Sequence, residues 1–224
     1  MSIDAFSAAR DKQDMEHLRL LFAVTLSPDS NCIDVGAHMG DVLREIIRCA
    51  PKGRHIAYEP LPHVNAQLVR SFPQVDVRLA ALSNKSGLAS FTHVRSNPGY
   101  SGFKQRTYPS VEQLEMITVR VEPLDSSLPR NYVPSLIKID VEGGEQQVLE
   151  GAIGTIARHK PIVIFEHGRG AAEHYGTGPA DIFNLLCVEA GLRIFDLDGN
   201  GPYSLEDLSR TFETGDRWNY VARQ

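Results

Sequence analysis

Apolar and polar positions follow two different periods along this chain, and the switches between them mark out its elements. Residues 11–26 place Met15, Leu18, Phe22 and Leu26 on one side of a helix, which Pro28 and Asp29 end. That helix is expected to cover a sheet, since packing is the usual reason for an apolar stripe; a lid over a bound ligand is the alternative. Ile33 and Val35 suit a buried strand, Gly36 and Gly40 a tight turn, and Val42, Leu43, Ile46 and Ile47 the inner face of a helix opened by Asp41. Pro51 and Gly53 stop this unit. A second follows, with a strand over 54–59 and a helix over 62–71 ended by Phe72-Pro73, and then a third strand over 75–79.

After residue 84 the period changes. A turn over 84–87 leads into a strand over 88–94 that returns antiparallel, then an irregular loop over 95–115, then a strand over 116–121. A buried strand over 136–140 precedes a helix from near Glu145 that carries Val148, Leu149, Ala152 and Ile153. A strand over 161–165 follows. The helix over 179–190 starts at Pro179, turns Ile182, Phe183, Leu186 and Val188 inward and is capped by Gly191. A strand over 192–197, a turn over 198–201, a short helix over 205–212 and a strand over 218–222 complete the reading. Strands alternating with helices predict an α/β fold with a parallel sheet covered on both faces. The last two strands lack a full crossover helix and predict an antiparallel edge pair.

Composition narrows the function. With 224 residues, 42% hydrophobic and 23% charged, the chain is long enough for one sizeable core. The expected organisation is an N-terminal helical segment (1–30) before a single domain (31–224). A net charge of -5 argues against an electrostatic nucleic-acid binder. The three cysteines are Cys32, Cys49 and Cys187. Cys32 and Cys187 lie in apolar runs and read as buried thiols, and a sparse, odd count suits a reducing cytoplasm. The start of the chain does not read as a signal peptide, and no run approaches the roughly 20 apolar residues that span a bilayer. A cytoplasmic protein without membrane or nucleic-acid partners is therefore expected.

Two stretches carry the chemistry. The glycine turn after Ile33–Val35 lets backbone approach a ligand at a helix N-terminus, and Glu59, closing the next strand, is placed to bind the hydroxyls of a ribose. Together they indicate an adenosine-containing cofactor, with the small residues Ala80 and Ala81, then Leu82 and Ser83, offering a surface for an adenine ring. In the second stretch, alternation puts Lys138, Asp140 and Glu142 on one side of an extended segment. Charged groups there are costly unless paired or used. A Lys138–Asp140 ion pair and a capping Glu145 are expected, with Asp140 functional because ligands bind at the carboxyl ends of such strands. Glu166 and His167 end the neighbouring strand. The loop over 95–115 offers Tyr100, Ser101 and Phe103 as substrate contacts. Asp140, Glu142 and Glu166 are oxygen donors that a hard cation favours, but spacing does not fix their convergence and no metal is assigned.

These residues resemble a known group. Asp34-Val35-Gly36-Ala37-His38-Met39-Gly40, then Tyr58-Glu59-Pro60, Ala81-Leu82-Ser83, Leu124-Asp125-Ser126, and Lys138-Ile139-Asp140-Val141-Glu142-Gly143-Gly144-Glu145 through Leu149-Glu150-Gly151 are similar in order and spacing to the FkbM family of S-adenosylmethionine-dependent methyltransferases. The resemblance implies a Rossmann-like class I methyltransferase fold: a mostly parallel seven-stranded sheet with an antiparallel edge strand and an inserted hairpin. It implies methylation of a hydroxyl on a sugar, polyketide or other small metabolite. Carried over, Asp34, Gly36, Ala37 and Gly40 form the S-adenosylmethionine loop, Glu59 binds the ribose, Ala81 and Leu82 the adenine, and Asp140 sits by the cofactor amino group and the substrate, with Glu166 beside it. His38 stands where the family usually has Asn and is assigned to the cofactor shell. Asp140 or His167 is expected to accept the hydroxyl proton. The rival readings are a nicotinamide-dependent oxidoreductase, though the glycine spacing is not the full Gly-x-Gly-x-x-Gly, and a cofactor-binding module without turnover. The Asn/Asp-Pro-Pro-Tyr tetrapeptide of amino-methylating nucleic-acid enzymes is absent from the sequence.

Overall fold

A computed structural model of the chain describes residues 3–224, with side chains from residue 8 onward. In chain order the elements are α1 (Ile3–Thr25), β1 (Cys32–Val35), α2 (Asp41–Cys49), β2 (Ile56–Tyr58), α3 (Pro62–Ser71), β3 (Asp76–Arg78), β4 (Ala81–Leu82), β5 (Gly87–Val94), β6 (Leu114–Glu122), α4 (Leu124–Ser127), β7 (Leu136–Ile139), α5 (Glu145–His159), β8 (Ile162–Glu166), α6 (Pro179–Phe183), β9 (Arg193–Asp196), α7 (Leu205–Thr214) and β10 (Asn219–Arg223). The main sheet runs β3-β2-β1-β7-β8-β10-β9, parallel except for β10, which is antiparallel to both its neighbours. This is the expected mostly parallel sheet with an antiparallel edge pair, β10 being inserted between β8 and the outermost β9.

Register decides where the chemistry goes. Val35 pairs with Tyr58 on one side and Ile139 on the other, and Ile139 with Phe165. The residues that follow, Gly36, Glu59, Asp140 and Glu166, therefore stand in one row along the carboxyl edge of four parallel strands. Antiparallel β10 begins at the same edge, with Asn219 opposite Glu166.

Strand alternation divides the core between two faces. Ile33, Val35, Ile137, Ile139, Val163 and Phe165 pack under Val148, Leu149 and Ala152 of α5. Cys32, Leu136, Ile164 and Val221 face the other way, onto Leu18 and Phe22 of α1 and Ile46 of α2. Each such side chain contributes about 1.5–3 kcal/mol by burial. Helix α1 thus covers the sheet as expected; Met15 is half-buried.

Three details differ from the sequence reading. Helix α6 continues as a π-helical segment over Asn184–Glu189. The wider turn shifts the helical phase, so Leu185 joins Leu186 in the core while Val188, expected to face inward, is 68% exposed. Cys187 is only half-buried. Residues Ala81–Leu82 form a strand that pairs parallel with β6, so the inserted β5–β6 hairpin becomes a three-stranded sheet, β4-β6-β5. Among the described residues no helix is long and apolar enough to cross a membrane.

Candidate active site

Two cavities open along the carboxyl edge of the sheet. The first is narrow, with a cavity volume of about 60 Å³. Gly36 and His38 come from the β1 turn, Glu59 and Leu61 from the end of β2, and Ala80 to Leu82 and Phe91 from the inserted sheet. Asp140 and Glu142 come from the end of β7, and Ser101 and Phe103 from the β5–β6 loop. The second is larger and more open, about 510 Å³, with Asp11, Tyr100, Arg106, Glu166, Arg217, Trp218 and Asn219 among its walls. Asp140 and Glu142 line both.

Glycine geometry brings the first cavity together. At Gly36 (φ 78°) a Cβ would sit 1.9 Å from the Asp140 carbonyl oxygen, so only glycine lets the β1 turn lie against the end of β7. The turn continues through His38, a non-glycine residue at φ 45°. Its backbone amide donates to Glu59 Oε2 at 3.0 Å, while Glu59 Oε1 accepts from the Leu61 amide at 2.8 Å. Burial raises Glu59 to about 7 against the effect of these two bonds. Burial also lowers the His38 imidazole pKa, keeping the ring neutral.

At the shared wall, Lys138 Nζ donates to Asp140 Oδ2 at 2.6 Å, the ion pair expected from sequence. Burial works against the Lys138 charge, but Asp140 and Asp34 raise its pKa overall. Burial likewise works against the Asp140 carboxylate, and Lys138 prevails to hold its pKa below the ordinary value. Glu166 is pushed well up by burial and by the charges of Asp140 and its acidic neighbours, and it shares a hydrogen bond with Asp140. The pair thus divides, Asp140 favouring its charged form and Glu166 its protonated one. Glu142, raised to about 8 by burial and by Asp140 with Arg106 opposing, is held in the left-handed region at φ 62°. Glu145 accepts from the Val141 amide at 2.9 Å and the Gly143 amide at 3.2 Å, fixing the turn into α5.

Of the residues assigned to the cofactor, Gly36, His38, Glu59, Ala81, Leu82 and Asp140 line the first cavity. Asp34, Ala37 and Gly40 stand behind it. Asp34 is 1% exposed, neither carboxylate oxygen has a hydrogen-bond partner, and burial raises it to about 6. Gly40 (φ 81°) lets the turn pass Phe72, whose ring edge lies 2.4 Å from where a Cβ would be. The loop residues divide: Ser101 and Phe103 line the first cavity, Tyr100 the second.

His167 does not join them. It follows Glu166, and alternation turns its side chain to the opposite face of the sheet. There it is 1% exposed, stacks on Phe212 at 4.8 Å and is lowered by burial to about 4. It lines neither cavity, so the proton-accepting role considered for it is corrected: this imidazole is packing.

Sequence reasoning missed Asp11, Arg106 and the Arg217-Trp218-Asn219 segment. Asp11 accepts from the Trp218 indole at 3.2 Å, and Asp14 accepts from Asn219 at 2.9 Å, so α1 also builds part of the second cavity. The acidic start of that helix was visible; its partners, some 200 residues on, were not.

Comparison with known proteins places this geometry. The Methyltransferase FkbM domain matches residues 34–194. The structure is similar to that of Methyltransferase FkbM from Methylobacillus flagellatus, with a TM-score of 0.56 and 18% identity, covering 88% of this chain and 44% of that one. It is also similar to a TehB-like SAM-dependent methyltransferase from Corynebacterium glutamicum, with a TM-score of 0.50 and 12% identity, covering 93% and 87% of the two chains. At these identities the likeness is one of fold. The AMB antimetabolite synthetase AmbE of Pseudomonas aeruginosa is 38% identical over 84 residues, 36% of this chain. The present chain spans 4% of that protein's length.

Proposed function

The chain belongs to the FkbM family of methyltransferases, and from that premise we propose that it is an S-adenosylmethionine-dependent O-methyltransferase acting on a hydroxyl of a sugar, polyketide or other small metabolite. One observation carries the reading: Asp140 and Glu142 belong at once to the narrower cavity and to the wider one. A donor held in the first and an acceptor held in the second would meet at that wall. The match to part of an antimetabolite synthetase favours a small-metabolite acceptor.

The first cavity fits the donor by its chemistry. Glu59 offers carboxylate lone pairs to a ribose, Ala80 to Leu82 and Phe91 offer an apolar surface to an adenine, and ionised Asp140 offers a counter-charge to a cation. Bound S-adenosylmethionine supplies a methyl group already activated on a sulfonium. The protein's task is then alignment, which can supply effective molarities of about 10⁵ M or more. Asp140 orients the acceptor hydroxyl and takes its proton. A weak base suffices, because an oxygen that is gaining a methyl group becomes strongly acidic. Lys138 favours the ionised form of Asp140 for this, and the hydrogen bond to Glu166 holds it in place.

The test has two parts. Calorimetric titration should find S-adenosylhomocysteine bound and NADH not bound. Radiolabelled methyl transfer, screened over glycans and polyketide alcohols, should label an alcohol at an alkali-stable ether. NADH binding without S-adenosylhomocysteine binding, or label transferred to nitrogen or carbon alone, overturns the proposal.

A further inference from the structure

The β5–β6 loop is shared by the two cavities. Pro98, Gly99, Ser101 and Phe103 line the first, and Tyr100 and Arg106 the second. Its anchor is the Arg106 guanidinium, which pairs with Glu142 at the turn after β7; the two side chains are 15% and 19% exposed. The same guanidinium lies 4.9 Å over the Tyr100 ring, which stacks on Tyr108 at 6.0 Å. Among the described residues Glu142 is one of three non-glycine residues at positive φ, a conformation that persists only where its surroundings fix it. A half-buried charge pair, a cation over an aromatic ring and a strained backbone thus converge on one contact between the loop and the sheet edge.

We propose that Arg106 is a positioning residue that, through Glu142, holds the β5–β6 loop as the roof of the cofactor cavity and so sets how long the nucleoside stays bound. This rests on the S-adenosylmethionine reading above. Four of the loop's residues wall that cavity, so a ligand inside it leaves when the loop lifts. Weakening the contact that holds the loop down therefore acts mainly on release of what lies beneath it. The loop has other supports: Thr92 and Gly102 exchange backbone hydrogen bonds at 2.8 and 3.1 Å, and the Lys104 amide donates to Tyr175 Oη at 3.2 Å. Loss of the guanidinium therefore loosens the roof without unmaking the loop.

Release of S-adenosylhomocysteine from the full chain, followed by surface plasmon resonance, tests this. Arg106→Gln should release the nucleoside about tenfold faster, with Arg106→Lys intermediate. Glu142→Gln should behave like Arg106→Gln, and the double variant should be no faster than either, as for two halves of one contact. Wild-type release rates in folded Arg106→Gln, or additive effects in the double variant, overturn the inference alone. A wild-type chain that binds no S-adenosylhomocysteine overturns the proposed function and, with it, this inference.

Discussion

The backbone amide of His38 donates to Glu59 Oε2 at 3.0 Å, tying the glycine turn after β1 to the acid that ends β2. One carboxylate thus fixes the shape of the turn and presents its remaining lone pairs to the cavity. Glu59→Gln keeps the size, but its amide nitrogen cannot accept from either the His38 or the Leu61 amide. Hydrogen bonds to charged groups contribute about 1.5–3 kcal/mol, so S-adenosylhomocysteine should bind about 10- to 100-fold more weakly by calorimetry. Unchanged affinity would remove Glu59 from the site.

Asp140 and His167 should separate cleanly. With an acceptor in hand, Asp140→Asn should lower methyl transfer by about 10²–10⁴-fold, the usual worth of a positioned base. It should also lower the melting temperature, because Lys138 loses its partner. His167→Ala should leave the rate per folded molecule close to wild type and cost stability through the lost stacking on Phe212. A rate collapse in His167→Ala with the fold intact would return the imidazole to the mechanism.

Gly36→Ala should be severe. The new methyl would meet the Asp140 carbonyl at 1.9 Å, with the backbone at φ 78°. Positive φ alone costs about 1–2 kcal/mol, and the clash must move β1 or β7. Loss of measurable S-adenosylhomocysteine binding and a large fall in melting temperature are expected. A variant that binds and melts like wild type would contradict the close approach of these strands.

The buried acids make stability depend on pH. Glu59 and Glu145 are raised to about 7, Glu142 to about 8 and Glu166 well above the ordinary carboxylate range, each chiefly by burial. From pH 6.5 to 8 the unfolded chain has already released these protons while the folded chain still holds part of them. Folding therefore takes up protons and stability falls as pH rises. His167, lowered to about 4 by burial, acts only below its unfolded value of about 6.5, where it makes stability fall as pH falls. The ligand-free chain should melt at lower temperature at pH 8 than at pH 6.5 in calorimetric scans. A flat or rising profile would mean that these carboxyls are ionised in the fold.

Much of the sheet was legible because its signals are local. The run Ile33 to Gly40 encodes strand, turn and helix start within ten residues, and Glu59, Asp140 and Glu166 follow strands whose apolar runs are unambiguous. The cluster of turn residues and aromatics singled out Tyr100, Ser101 and Phe103, but not that Ser101 and Phe103 line one cavity and Tyr100 the other. What escaped depends on distance or phase. The side of the sheet to which His167 turns is set by its one-residue offset from Glu166. Val188 is turned outward by the π-helical segment, which the 3.6-residue period conceals. The pairing of Arg106 with Glu142, and of Asp11 with Trp218 across 207 positions, follows from topology that short-range pattern does not contain.

The two cavities also differ in which parts of the chain build them. Every residue named in the walls of the first lies between Val35 and Glu142, before β8 and β10. The second needs Asp11 from α1 and Trp218 from beside β10. The first cavity is thus the work of one contiguous stretch of chain, whereas the second closes only where the two ends of the chain meet.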